Sequence, residues 1–258
     1  MLFIPSEIHI FSLGIPIYGI MITLGMIAGI TIACFLAKKK ENLSADDILT
    51  LALYVIPLSI LGARTYYCIF AETKPVFWEI WNGGLAILGG VIGGFIGIVL
   101  YTLIHKKNLL DILDVAAPAL ILGQSIGRIG CIFGGCCYGW EVTDPAFQFF
   151  PIAVPHGDEW HLATMFYESI LCLVGFFGLW QIFKKFHTTR SVTACCYLIY
   201  YGFIRCIIET FRGDSLYLFA GIKVSQLVSF LCLVGGIIGL IIIHNKNKNK
   251  NETNKDSV

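Results

Sequence analysis

The sequence predicts an all-α polytopic membrane protein with seven transmembrane helices, and two observations carry that prediction. Of the 258 residues, 57% are hydrophobic and only 14% are charged, about half the charged fraction of an ordinary soluble domain. Seven apolar runs have about the 20-residue length that crosses a bilayer. They cover residues 14–37, 48–70, 85–104, 112–133, 165–183, 192–212 and 224–243.

The basic residues outside these runs predict the orientation. With a cytoplasmic C-terminus, the cytoplasmic segments hold twelve lysines and arginines, whereas the opposite segments hold only Lys74 and Lys223. Cytoplasmic loops of membrane proteins carry the excess of positive charge, so the chain is expected to be N-out and C-in. The net charge of +1 says nothing further about partners, and no nucleic-acid partner is expected.

The domain organisation is simple. Residues 1–245 are expected to form the transmembrane domain, with residues 134–164 as an outer loop or lid. Residues 246–258, KNKNKNETNKDSV, are polar and low in complexity, which predicts a disordered cytoplasmic tail. The opening MLFIPSEIHIF has no basic segment before the first apolar run, so we expect no cleaved signal peptide.

Four arginines fall within the apolar runs or at their ends: Arg64, Arg128, Arg205 and Arg212. In the expected orientation they share the outer-leaflet depth. An arginine at mid-bilayer costs about 2.5–3.5 kcal/mol, so several at one depth favour a receptor for an anion that resides in the membrane, such as a phospholipid phosphate. The alternatives are that each arginine reaches the headgroups, or that Arg205 pairs with Glu209 four residues along the same helix.

Glycines and carboxylates accompany these arginines. Glycines at 127, 130, 134, 135 and 139 surround Arg128, and they allow close backbone approach or a helix break beside a ligand. Glu168 opens the fifth apolar run, and Glu209 lies one turn from Arg205. A carboxylate in the membrane is expensive, so each is expected to pair with an arginine or to handle a proton.

The segment APALILGQSIGRIGCIFGGCCYG, residues 117–139, resembles the signature of the bacterial prolipoprotein diacylglyceryl transferases, approximately G-R-x-G-N-F-x-N-x-E-x-x-G. Further segments agree with this family in the same order. They are Tyr18-Gly19, GAR at 62–64 with Tyr67, NGGLAILGG at 82–90, ATMFYE at 163–168, and YGFIR at 201–205 with Glu209 and Arg212. The ordered set spans residues 14–243, so the resemblance covers nearly the whole chain.

The resemblance implies a multi-pass enzyme of the bacterial cytoplasmic membrane with its site toward the outer leaflet. Such an enzyme moves diacylglyceryl from phosphatidylglycerol to the lipobox cysteine thiol in the signal-peptide region of a preprolipoprotein. No metal or other cofactor is implied. The implied catalytic residues are Arg128 and Arg205, which hold the lipid phosphate, Glu209, which orients Arg205, and Glu168. The implied substrate-binding residues are Tyr18, Arg64, Gln124, Gly127, Gly130, Tyr138, Tyr201 and Arg212.

The sequence departs from the family pattern at several polar positions. Leu88 stands where the family has a histidine, which removes one proposed base. Cys131, Gly134 and Cys136 stand where the signature has Asn, Asn and Glu. These departures favour one alternative, a non-catalytic protein that binds or transports an anionic lipid. A related transferase with a different acceptor is a third possibility. If the chain is an enzyme, Tyr138 or Glu168 replaces the missing base.

Three interpretations remain open for Cys131, Cys136 and Cys137. They pack as small residues, with or without one oxidised pair, they relay an acyl or glyceryl group, or they bind a metal ion. The spacing C-x4-C-C lacks the usual ligand pattern of zinc sites. The other seven cysteines lie in apolar runs, where a thiol behaves as a small hydrophobic group.

Overall fold

The computed structural model describes residues 7–10, 13–71, 76–79, 83–212 and 223–255. Lys74, which entered the orientation count, and Asn82, in the 82–90 motif, lie outside the described residues. The helices are α1 Ile17–Ala37, α2 Ala45–Phe70, α3 Ile87–His105, α4 Leu109–Phe133, α5 Thr164–Phe186, α6 Val192–Phe211 and α7 Val224–Lys255. The strands are β1 Glu7–Ile10, β2 Leu13–Pro16, β3 Ala153–His156 and β4 Glu159–Leu162, and Pro145–Phe147 forms a 3-10 turn.

All seven helices are long and apolar enough to cross a membrane, which confirms the predicted all-α polytopic fold. Their outward surfaces are apolar: the side chain of Ile87 is 80% exposed and that of Leu53 is 74% exposed. Apolar surface on this scale is stable against lipid and costly in water. The strands add only two antiparallel hairpins, β1–β2 and β3–β4, to this helical frame.

The structure differs from the prediction for the C-terminal tail. Helix α7 continues through Lys255, so residues 246–255 are helical here, and residues 256–258 lie outside the described part. Extending a helix that already exists requires no new nucleation step, and lysine is a good helix former. Disorder of the tail stays a prediction.

The chain divides into two compact units, and residues 33–112 form one of them. Here α2 packs against α3 through small residues. A Cβ atom added at Gly93 would overlap the backbone carbonyl of Leu58, and one added at Gly62 would overlap that of Gly89. Close backbone approach of this kind is how helices gain packing energy inside a bilayer.

Polar contacts gather at one end of this unit. Ser44 and Asp47 form a capping box at the start of α2, which satisfies backbone N–H groups that the helix leaves open. Asp47 also accepts hydrogen bonds from Tyr101 at 2.9 Å and Lys107 at 2.9 Å. Lys40 and Asp111 form a buried ion pair at 3.1 Å. These contacts join α2, α3 and the start of α4 at their polar ends.

The other unit comprises residues 1–32 and 113–258. A Cβ added at Gly25 of α1 would lie 2.9 Å from the backbone oxygen of Gly123 of α4, so these two helices touch. Helix α6 packs against both α5 and α7. Ser191 gives α6 no side-chain cap; instead Asp114 of α4 accepts from the backbone N–H groups of Ser191 at 2.7 Å and Ala194 at 3.0 Å.

Residues 134–164, predicted to be an outer loop or lid, contain the 3-10 turn and the β3–β4 hairpin. Backbone hydrogen bonds fix this segment to its surroundings. Gly139 N–H donates to Leu162 and Trp140 N–H donates to Phe211 at the end of α6. The segment is thus tied both to itself and to α6, at the same end of α4, α5 and α6. Its role as a lid stays a prediction.

The α2–α3 approach makes a first prediction. Gly93→Ala should lower the stability of the protein by about 1–3 kcal/mol, because the new methyl group forces the two helices apart. The measurement is the thermal unfolding midpoint of the purified protein in detergent. Gly178→Ala is the matched control, since an added Cβ there meets nothing within 4 Å. An unchanged midpoint for Gly93→Ala would contradict the account of this packing.

Candidate functional site: a buried ladder of arginines and carboxylates

Five charged side chains from α4, α5 and the end of α6 alternate in sign within the larger unit. Arg128 pairs with Glu168 at 3.1 Å, and Glu168 pairs with Arg205 at 3.1 Å. Arg205 pairs in turn with Glu209 at 2.9 Å, which lies 3.9 Å from Arg212. We call these five residues the charge ladder. The structure therefore brings together all four residues predicted to be catalytic.

Helical spacing explains part of the ladder. Arg205 and Glu209 are four residues apart on α6, which places them on one face. Both carboxylates are buried, each with a side chain only 2% exposed. A buried carboxylate without a partner costs several kcal/mol, and here each carboxylate lies between guanidinium groups. The pairing with guanidinium groups therefore offsets the cost of burying these two carboxylates.

A pair of serines sets the register between α4 and α5. Ser125 Oγ donates to the backbone oxygen of Ser169 at 2.9 Å, and Ser169 Oγ donates to the backbone oxygen of Ser125 at 2.8 Å. Ser125 lies one turn before Arg128, and Ser169 directly follows Glu168. This reciprocal clamp holds the two helices where the arginine and the carboxylate meet. Sequence reasoning missed both serines, since an isolated serine in an apolar run gives no signal of its partner.

Lys223 was also missed as a site residue, having been counted only as an outer-loop charge. Its Nζ donates to the backbone oxygens of Glu209 at 2.7 Å and Arg212 at 2.9 Å. Glu209 lies in the last turn of α6 and Arg212 is the residue that caps this helix, and the carbonyls at a helix C-terminus need partners from outside the helix. Lys223 therefore fixes the end of α6, and with it the last two members of the ladder.

Arg128 differs from the other guanidinium groups of the site. Among the described residues it has one polar partner, Glu168, and its side chain is 18% exposed. A Cβ added at neighbouring Gly127 would meet nothing within 4 Å. A guanidinium carries five N–H donors, so one edge of Arg128 is held and the remaining donors are open to a ligand.

Two tyrosines and a glutamine lie beside the ladder. The rings of Tyr197 and Tyr201 stack with centroids 5.7 Å apart, and Tyr201 is close enough to Glu168 and Arg205 to interact with their charges. Gln124 donates to the Tyr197 hydroxyl at 2.9 Å. Its buried Oε1 has no hydrogen-bond partner among the described residues, so this oxygen is an acceptor that a ligand hydroxyl can satisfy.

The remaining predicted residues of this unit lie near the end of α4. Tyr18 packs against Gly130 and Gly134 and is 40% exposed. The Tyr138 ring packs against those of His156 and His161, with centroids 4.4 and 4.6 Å apart.

The three clustered cysteines meet beside Tyr18 and Arg128. All are free thiols, and the Sγ atoms of Cys131, Cys136 and Cys137 lie within 4.8 Å of one another. Hydrogen bonds from the Cys131 and Cys136 thiols, together with the charges of Arg128 and Arg212, hold the pKa of the Cys137 thiol below its usual range. Of the interpretations left open for these cysteines, the oxidised pair is not present in this structure.

Arg64 belongs to the unit formed by residues 33–112. Every N–H donor of its guanidinium is bonded to a backbone carbonyl oxygen. It donates to five carbonyl oxygens, those of Val76, Phe77, Glu79, Gly83 and Gly84, at 2.5–3.2 Å. These bonds use all five N–H donors and bind the segment after α2 to the helix. The geometry gives Arg64 a structural role here, and substrate binding by Arg64 stays a prediction.

Leu88, where the family pattern has histidine, lies in the first turn of α3 in the same unit as Arg64. Its side chain is 45% exposed and carries no group that can accept a proton. A base for the reaction must therefore be sought elsewhere.

Fold and site together define a polytopic membrane protein with a buried arginine-rich site suited to an anion. The chain belongs to the prolipoprotein diacylglyceryl transferase family, whose profile matches residues 5–242. It is 38% identical to phosphatidylglycerol–prolipoprotein diacylglyceryl transferase 1 of Clostridium perfringens, over 95% of this chain and 97% of that protein. It is also 38% identical to the transferase of Streptococcus agalactiae, over 92% of this chain and 95% of that protein. The identity to the transferase of Finegoldia magna is again 38%, over 89% of this chain and 91% of that protein.

The ladder makes a second prediction. Glu168→Gln should destabilise the protein by about 3 kcal/mol, because two buried guanidinium groups lose the charge between them. The measurement is again the thermal midpoint in detergent. Glu159→Gln is the control: this carboxylate is 63% exposed and, among the residues that the structure describes, pairs with His161 alone, at 3.3 Å, so its loss should change stability by less than about 1 kcal/mol. Equal effects of the two substitutions would refute the role of the ladder in stability.

Arg64 makes a third prediction. Arg64→Lys should loosen the segment that carries residues 76–79 and 83–84, since a lysine offers three donors where five carbonyls need partners. The measurement is the rate of limited proteolysis within this segment. This rate should rise at least about 10-fold if the substitution lowers the free energy of opening the segment by about 1.4 kcal/mol. Lys106→Arg, at the far end of α3, is the control. No gain in cleavage would show that Arg64 does not hold the segment.

Proposed function

We propose that this protein transfers the diacylglyceryl group of phosphatidylglycerol to the lipobox cysteine thiol of a preprolipoprotein. Arg128 carries this proposal: it is held on one edge by Glu168 and open on the other. A guanidinium in this state is a preformed receptor for a phosphate, which it binds through charge-assisted, often bidentate hydrogen bonds. The names of the related transferases supply the identity of the lipid and the acceptor.

The charges of the ladder suit a phosphodiester. Three guanidinium groups and two carboxylates leave one positive charge among the five side chains, and phosphatidylglycerol carries one negative charge. Because Glu168 and Glu209 hold Arg205 on two sides, little reorganisation is needed when the lipid arrives. Preorganised donors of this kind stabilise charge that develops in the transition state.

The reaction is a substitution at the carbon of the diacylglyceryl group that is bonded to the phosphate oxygen. The thiolate sulfur forms a bond to that carbon while the C–O bond breaks, and glycerol phosphate leaves with the electron pair on its oxygen. The leaving phosphate gains a second negative charge, which Arg128 is placed to stabilise. The thiol proton passes to the departing phosphate or to water, because a phosphate monoester binds its second proton with a pKa near 6.

Glu168 acts in this scheme as a positioning residue. Its oxygens already accept from Arg128 and Arg205, which lowers the tendency of this carboxylate to take the proton of an incoming thiol. Gln124 Oε1, which lacks a donor among the described residues, is placed to accept from a hydroxyl of the glycerol headgroup. Tyr138 stays a candidate base, as predicted from the sequence.

We place the site toward the outer leaflet of the bacterial cytoplasmic membrane, with the N-terminus outside and the C-terminus inside. The distribution of twelve basic residues against two supports this orientation. The segment 134–164 then lies outside, and its Trp140, Phe147, Phe149 and Phe150 are each at least 50% exposed. Aromatic side chains suit the membrane interface and an apolar signal peptide, which supports a docking role for this segment.

A non-catalytic lipid-binding protein is the second candidate. It is favoured by the replacement of polar family positions with Leu88, Cys131 and Cys136. The purified protein in detergent, given labelled phosphatidylglycerol and a synthetic lipobox peptide, separates the two. Label on the peptide cysteine supports the transferase, whereas bound lipid without transfer supports the second candidate.

Arg128 makes the fourth prediction. Arg128→Ala should lower kcat/KM for transfer at least about 100-fold, the typical loss when one charge-stabilising donor is removed. The fold should survive, because Arg205 still pairs with Glu168. The readouts are transfer to the peptide and the thermal midpoint of the same sample. Arg190→Ala, in the loop between α5 and α6, is the matched control; full activity in Arg128→Ala would contradict the phosphate receptor.

A further inference from the structure

Three thiols converge at the end of α4, outside the charge ladder. Cys131 lies near the end of the helix, and Cys136 and Cys137 lie in the turn that follows it. Their Sγ atoms are within 4.8 Å of one another. In a tetrahedral zinc site the sulfur ligands lie about 2.3 Å from the ion, which puts neighbouring sulfurs a little under 4 Å apart. Small side-chain rotations therefore suffice to place all three on one ion.

The backbone explains how neighbouring cysteines reach one point. Gly135 and Cys137 both have left-handed conformations, with φ of 59° and 65°. A left-handed non-glycine residue is uncommon and marks a constrained turn. Two bonds hold the turn: Cys136 N–H donates to the Cys131 carbonyl at 3.3 Å, and Thr164 Oγ1 donates to the Cys137 carbonyl at 2.8 Å. Cys136 and Cys137 consequently both face Cys131.

The surroundings of the thiols suit a soft cation. Val154, Ala163 and Met165 are buried against Cys131 in one apolar cluster, which restricts water. Arg128 and Arg212 lie within electrostatic reach of Cys137. A positive neighbour stabilises thiolate ligands, and a trithiolate complex of a divalent ion has a net charge of −1 that these guanidinium groups offset.

The geometry points to a binding site for one thiophilic divalent metal ion, of the zinc or cadmium class, formed by Cys131, Cys136 and Cys137. The three sulfurs bind as thiolates, and binding releases the protons that the thiols still carry, with no change of oxidation state. The ion would link the start of the 134–164 segment, through Cys136 and Cys137, to Cys131 of α4, beside Arg128. The family signature has polar side chains at the positions of Cys131 and Cys136. In this chain, bonds from the sulfurs to the metal ion would hold the turn to α4 instead.

The test uses the whole chain, purified in detergent with a phosphine reductant so that the thiols stay reduced. Titration with Cd²⁺ is followed by thiolate-to-cadmium charge-transfer absorption, and Zn²⁺ retained after desalting is counted by elemental mass spectrometry. One ion per chain is expected for the wild type. Cys131→Ser and Cys137→Ser should each weaken binding by about 100-fold or more, since even outer-shell changes at metal sites cost 10- to 100-fold.

Cys232→Ser, on α7, is the matched control and should retain one ion. Thermal midpoints measured with each variant show whether a loss of binding reflects unfolding. An ion retained by Cys131→Ser/Cys136→Ser/Cys137→Ser would overturn the proposal. So would a wild-type protein that retains no ion while alkylation shows all ten cysteines reduced. None of these readouts depends on transferase activity.

Discussion

The site depends on one shared carboxylate. Glu168, with a side chain only 2% exposed, lies between Arg128 and Arg205, 3.1 Å from each. Two buried guanidinium groups from different helices would repel each other and destabilise their helix pairs without it. The Ser125–Ser169 clamp holds α4 against α5 at this level, so helix packing and charge pairing support the same arrangement. A positively charged site inside a membrane protein is thereby made compatible with a stable fold.

This constraint also separates the arginines by role. Arg205 is held by two carboxylates and Arg64 by five carbonyl oxygens, whereas Arg128 keeps donors open to a ligand. A residue that is fully satisfied by the protein adds rigidity, and one that is partly satisfied can bind. The related transferases are named for phosphatidylglycerol, and the proposed role of Arg128 as the phosphate receptor rests on this difference between the arginines.

The sequence predicted the seven helices because apolar length is a direct consequence of bilayer thickness. It also gave the pairing of Arg205 with Glu209 as one alternative, since residues four apart lie on one face of a helix. The pairing of Glu168 with two arginines, the Ser125–Ser169 clamp and the saturation of Arg64 could not be predicted, because they depend on register between helices distant in the chain. The convergence of the three thiols depends on left-handed turns at Gly135 and Cys137, which C-x4-C-C spacing alone does not specify. Helix α7 extends beyond its predicted end because adding a residue to an existing helix costs less free energy than starting a new helix.

The most direct test of the account is an experimental structure of the whole chain with phosphatidylglycerol bound in a lipid nanodisc. The quantity to read is the distance from the phosphate oxygens to the guanidinium nitrogens. The account predicts a phosphate oxygen within about 3 Å of Arg128, with Glu168 still bridging Arg128 and Arg205. A phosphate bound away from Arg128, or a ladder that opens when the lipid binds, would contradict it.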